Sequence, residues 1–174
     1  YIQSPFIQTS SNAFNDSLLV EILSPASDEI EYYFINENGK ATTVQNSPSV
    51  YIKNNCTLVA YSVQHANGIR SVSKKIHAKF YKNPHPNWEV NLLSTYHPQY
   101  SAGGALALID GIKGNENWRK GDWQGYQAQD FEAIINFKEN TTINGFTASF
   151  LQDTRSWILM PKKVEFYVSE DGVR

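Results

Sequence analysis

EIEYYFI, residues 29–35, runs into the turn Asn36-Glu37-Asn38-Gly39 and decides the fold class. Its β-branched and aromatic side chains suit a pleated, half-buried surface. The Asn-Gly pair supplies the positive backbone angles a tight reversal needs. The same grammar recurs on both sides of it: SLLVEI (17–22), SVYI (49–52), TLVAYSV (57–63) and VSKKIHAKF (72–80), with Asn67-Gly68 as a second turn. Nowhere does the i, i+3, i+4, i+7 apolar spacing of a helix persist beyond two turns. The chain is therefore predicted to be all-β, and strands at this spacing within about 80 residues predict a small sandwich.

The pattern breaks at Tyr81-Lys82-Asn83-Pro84-His85-Pro86-Asn87, where two prolines remove backbone donors and bias their predecessors to extended geometry. We place a linker at 82–87 between a first domain, 1–81, and a second, 88–174. Strand-like runs in the second domain are WEVNLL (88–93), ALALI (105–109), FEAIINF (131–137), INGFTASF (143–150) and KVEFYV (163–168). The last two alternate as half-buried antiparallel strands do. The closing Ser169-Glu170-Asp171-Gly172-Val173-Arg174 reads as the start of a hairpin, so this second sandwich is expected to be incomplete at its C-terminus.

Bulk properties narrow the function. Among 174 residues, 41% are hydrophobic and 18% charged, a globular composition, and the formal charge of -2 with scattered lysines excludes nucleic acid as a partner. No run reaches the roughly 20 apolar residues that cross a bilayer as a helix, so no transmembrane segment is expected. Cys56 is the single cysteine, read as a strand residue, which rules out a disulfide framework or a cysteine metal cluster. The four histidines, His65, His77, His85 and His97, are dispersed, and no serine, histidine and acid fall in a nucleophile-elbow context.

Two resemblances carry further expectations. Ile30-Glu31-Tyr32-Tyr33-Phe34, Tyr51-Ile52-Lys53-Asn54, Thr57-Leu58-Val59-Ala60-Tyr61-Ser62 and Gly68-Ile69-Arg70-Ser71 resemble the fibronectin type III-like (immunoglobulin-like) module that follows the catalytic barrel in bacterial chitobiase and β-hexosaminidase chains. Tyr100-Ser101-Ala102-Gly103-Gly104, Leu108-Ile109-Asp110-Gly111-Ile112-Lys113-Gly114, Trp118, Trp123-Gln124-Gly125-Tyr126, Asp130-Phe131-Glu132-Ala133-Ile134-Ile135, Phe150-Leu151-Gln152, Ser156-Trp157-Ile158, Pro161 and Ser169-Glu170-Asp171-Gly172 resemble the factor V/VIII C-type, or discoidin, domain, a galactose-binding-like jelly-roll sandwich. Together they imply the C-terminal accessory region of a family 20 glycoside hydrolase, a β-N-acetylhexosaminidase that is periplasmic, cell-surface or secreted. The resemblance makes a glycan containing N-acetylhexosamine and the catalytic domain of the same polypeptide the expected partners. A barrel of about 250 residues does not fit here, so this chain by itself is expected not to be an enzyme and to hold no catalytic residue. Asp28-Glu29 and Glu170-Asp171 read as solvated turn acids.

Sugar binding needs a flat aromatic for the apolar pyranose face and hydrogen-bonding side chains for its hydroxyls, converging in one place. Trp118, Arg119, Asp122, Trp123, Tyr126, Arg155 and Trp157 supply both kinds. Several also have an architectural reading: Trp123 and Trp157 as sandwich core, Tyr126 as an end plug, Arg155 as the partner of Asp153 or Asp122. The turn Asp110-Gly111-Ile112-Lys113-Gly114-Asn115 has the oxygen-bearing, glycine-bent character of a calcium loop, and galactose-binding-like domains often hold a structural calcium there. Asp110 is then the candidate ligand, against the alternative of a turn aspartate capping backbone amides. No other cofactor is implied.

Overall fold

A computed structural model describes residues 1–26 and 28–172. Its secondary structure is strand, turn and four short 3-10 segments, with no α-helix among the described residues, so the chain is all-β. It divides into two compact units, Tyr1–Pro86 with Gly103–Ile112, and Asn87–Ala102 with Lys113–Arg174. Residues 103–112, assigned above to the continuous second domain 88–174, therefore fall in the first unit.

In the first unit, β1 (Phe6–Gln8), β3 (Leu18–Leu23) and β6 (Ser49–Ile52) form a three-stranded sheet in the order β1-β3-β6. A larger sheet runs β2 (Ala13–Phe14), β9 (Ile76–Lys82), β7 (Cys56–Ala66), β4 (Glu29–Asn36) and β5 (Gln45–Asn46), with β8 (Ile69–Val72) also paired to β7. Val20, Ile22 and Ile52 from the small sheet share one buried cluster with Ile30, Tyr32, Leu58, Ala60 and Phe80 from the large one. The two sheets thus close a sandwich. Alternation explains the choice of faces: Val20 and Ile22 are fully buried, whereas Leu19 and Glu21 between them are exposed.

Strand β7 organises this unit. It is buried continuously over residues 58–63 and holds β4 on one side, with β8 and β9 sharing the other. The run 72–80, expected as one strand, is two. Val63 faces Val72 and Ala60 faces Ile76, so two residues of β7 oppose three on the other strand, the signature of a β-bulge. Buried Ser73 carries the break: its hydroxyl accepts from the Ser62 amide at 3.0 Å and donates to the Lys74 carbonyl at 3.0 Å. At the other end of β8, Asn67 and Gly68 have φ of 52° and 76°, the two positive angles of the tight hairpin that their sequence announces. On the outer face of the large sheet, Arg70 and the Tyr61 hydroxyl both bond the Glu31 carboxylate, at 2.6 and 2.8 Å. The Arg70 guanidinium is the main reason that carboxyl stays below its ordinary range.

The second unit has fewer ladders. Strands β10 (Glu89–Leu92) and β11 (Ala133–Asn136) pair antiparallel, and the Trp88 and Phe137 rings meet edge-on just beyond them at 4.6 Å. Residues 143–150 and 163–168, expected as strands, belong to no sheet among the described residues, although Phe146 and Phe166 from these two runs stack at 4.9 Å. Alternation assigns side chains to faces, but a strand also needs a hydrogen-bonded neighbour, and that depends on distant sequence. The run 105–109 is likewise a correction. It forms a 3-10 segment, Ala105–Leu108, closed by Ala107 N–H to Gly104 O and Ile109 N–H to Leu106 O. Its alanines and leucines are unbranched at Cβ and good helix formers, so without a partner strand they take local bonds. Of the closing hairpin turn, Gly172 has φ 74°, while Val173 and Arg174 lie outside the described residues.

Candidate functional site

The side chains singled out for binding separate into two groups within the second unit. The first surrounds a small loop tip. Asp153 and Ile158 exchange both backbone hydrogen bonds, each at 3.0 Å, and pinch off Thr154-Arg155-Ser156-Trp157. The chain makes a single 3-10 turn over Thr154–Ser156 and reverses at Trp157, whose φ of 59° lies in the left-handed region. For a bulky residue this is an uncommon conformation with a cost on the order of 1 kcal/mol or more. The result is outward presentation: the Trp157 indole is 88% exposed and the Arg155 side chain 95%.

Trp118 anchors this tip from a second 3-10 turn, Trp118–Lys120, capped by the Asn117 side chain on the Arg119 amide. The Trp118 indole N–H donates to Ser156 Oγ at 3.3 Å, and that hydroxyl donates to Asp153 Oδ2 at 2.8 Å. Tyr100 packs edge-on against the Trp118 ring at 5.6 Å, and the Arg119 guanidinium lies over it at 4.1 Å. The Ser156 bond is the main influence holding the Asp153 carboxyl below its ordinary range, with the Arg155 charge adding to it and partial desolvation opposing both. Four candidates, Trp118, Arg119, Arg155 and Trp157, are thus brought together.

The second group faces inward. The Trp123 indole N–H donates to the Asn115 carbonyl at 2.6 Å, and its ring lies against Gly114, where an added Cβ would sit 2.3 Å from Cε2. Tyr126 packs on Phe131 at 4.8 Å and its hydroxyl donates to Gln124 Oε1 at 2.6 Å; burial raises its pKa. Gln124 in turn donates to the Ser101 carbonyl, tying this strip to the backbone bridge between Ser101 and Gln124. Asp122 is half-buried and takes no part in the contacts that hold the tip together. Trp123 and Tyr126 are half-buried and bonded within the unit, whereas Trp157, for which a core role was the alternative, is the most exposed of the candidate aromatics. Arg155 takes Asp153 as its partner, with Nε 3.8 Å from Oδ1.

The residues that link the tip, Ser156 and Tyr100, stand in the sequence as points of family resemblance and not among the candidate binding residues. Nothing in local spacing marks Ser156, because the bond from Trp118 spans 38 residues.

Asp110 lies in the first unit, 5% exposed, and its Oδ1 accepts from the Ile112 amide at 2.7 Å across Gly111 at φ 79°. It borders a small pocket with Ser11, Asn15 and Asn83. That set offers one carboxylate, already engaged, and neutral side chains, whereas calcium takes 6–8 oxygens with several carboxylates. No group of three His, Cys, Asp or Glu converges among the described residues. Asp110 thus caps the Ile112 amide of its own turn. Compared with known proteins, the sequence matches no family and no curated protein.

Proposed function

We propose that the chain is a non-catalytic accessory region of a β-N-acetylhexosaminidase of the chitobiase type, and that its second unit binds carbohydrate through the tip Thr154-Arg155-Ser156-Trp157 with Trp118 and Arg119. The observation that carries this reading is Trp157, 88% exposed and held out on a hydrogen-bonded tip that also bears the exposed Arg155 side chain. A bare indole is a stacking platform for a pyranose face, and adjacent donors fix its orientation. The fibronectin III-like and discoidin resemblance of the sequence supplies the parent enzyme and the glycan class. Hydrolysis belongs to a catalytic barrel in the same polypeptide.

Titration calorimetry of the chain with N-acetylglucosamine and galactose oligosaccharides tests it. Binding is expected at millimolar sugar or below, and Trp157→Ala is expected to weaken it with the far-ultraviolet dichroism unchanged. Absence of binding at millimolar sugar refutes the ligand-binding role. A structural spacer is the second reading, and the inward setting of Trp123 and Tyr126 favours it. On that reading Trp157→Ala changes no interaction with any glycan.

A further inference from the structure

We infer that the ligand of this tip is an acidic sugar, bound through a carboxylate or sulfate group, an inference that rests on the carbohydrate-binding reading above. Donors predominate over acceptors at the tip. Arg119, Arg155 and Trp157 offer only donors, since neither a guanidinium nor an indole nitrogen accepts. The acceptors nearest to these donors are fewer, the Asp153 carboxylate and the Ser156 hydroxyl. Asp153 Oδ2 takes the Ser156 hydroxyl and Oδ1 faces Arg155 Nε, while Ser156 Oγ receives the Trp118 indole. Thr154 adds one hydroxyl that donates as readily as it accepts.

A neutral pyranose presents hydroxyls that each bring a donor as well as acceptors, whereas at this tip the guanidinium donors outnumber the acceptors. A carboxylate or sulfate is acceptor-only and matches it. The geometry of charge agrees. Arg155 is 95% exposed and makes one long contact, Nε to Asp153 at 3.8 Å, which leaves the fork of the guanidinium turned to solvent two residues from Trp157. The Arg119 guanidinium lies over the Trp118 ring, 4.1 Å from its centroid, a contact that restrains the side chain near the tip. A bidentate contact from such a fork to an anionic group is among the stronger hydrogen-bonding arrangements available at a surface.

The test compares four probes on the 174-residue chain by calorimetry or ligand-observed NMR: chitobiose, N-acetylglucosamine-6-sulfate, a galacturonic acid oligomer and N-acetylneuraminic acid. At low salt at least one acidic probe is expected to bind about tenfold tighter than chitobiose. The sulfated and carboxylated arms show which anion is preferred. That advantage is expected to shrink in 0.5 M salt and to vanish in Arg155→Gln, while Trp157→Ala weakens every probe. If chitobiose binds as tightly as every acidic probe, the inference is overturned and the carbohydrate-binding reading stands. If no probe binds, both fall.

Discussion

Gly114→Ala is a sharp test of the packing in the second unit, because the obstacle is an immobilised ring. A Cβ at this position would lie 2.3 Å from Cε2, 2.5 Å from Nε1 and 2.8 Å from Cδ2 of Trp123, all inside normal carbon contact. The indole cannot slide away freely, since its N–H is bonded to the Asn115 carbonyl at 2.6 Å. Relief requires displacing the ring and breaking that bond. Overpacking of this kind costs about 1–3 kcal/mol, and a lost hydrogen bond adds about 1 kcal/mol. A loss of about 2–4 kcal/mol in a domain of this size lowers Tm by roughly 10–25 °C. Differential scanning calorimetry with tryptophan fluorescence reads the change. Gly145→Ala is the control, with nothing within 4 Å of the added methyl. In a double-mutant cycle with Trp123→Ala, the cost of Gly114→Ala should largely disappear, because the obstructing ring is gone. A Gly114→Ala chain melting within about 2 °C of the parent would refute the inward placement of Trp123 and return it to the ligand surface.

Other expectations follow from single residues. Phe80, 1% exposed at the centre of the first sandwich, should cost about 3–5 kcal/mol when cut to alanine, measured by denaturant unfolding. The Cys56 thiol, pushed up to about 11 by burial, should resist iodoacetamide at pH 8 in the folded chain and react once the chain is denatured; rapid labelling of native protein would contradict that burial. Asp153 has a lowered folded pKa, so its contribution is complete above the ordinary aspartate value of about 3.9 and is lost as pH falls through the lower folded value. Tryptophan fluorescence should accordingly report loosening of the tip only below about pH 4, with Asp153→Asn already loosened and flat across that range; a wild-type midpoint above about pH 4 would be inconsistent with the Ser156 bond. Because Asp110 acts as a turn cap, millimolar calcium or EDTA should shift Tm by less than about 1 °C, and a clear rise with calcium would restore a metal site at that turn.

The sequence alone was sufficient for the strands whose faces and ends are locally encoded. Alternation in 17–22 and the aromatic run 29–35 place β3 and β4, and Asn67-Gly68 sets its hairpin because those residues tolerate positive φ. It also brought the tip residues into one short candidate set, since exposed aromatics and arginines among polar loops are a compositional signal. Tertiary structure decided the rest. The bulge opposite Tyr61 and Ser62 arises from a register between strands, and 105–109 coils into a 3-10 turn for lack of a partner strand. Which indole turns inward was equally illegible. Trp123 and Trp157 both flank apolar runs, but one meets a glycine and bonds the Asn115 carbonyl, while the other follows a pinched loop that turns it outward. Burial of a large ring is set by what occupies the space facing it, and that space is made by residues far away in the chain.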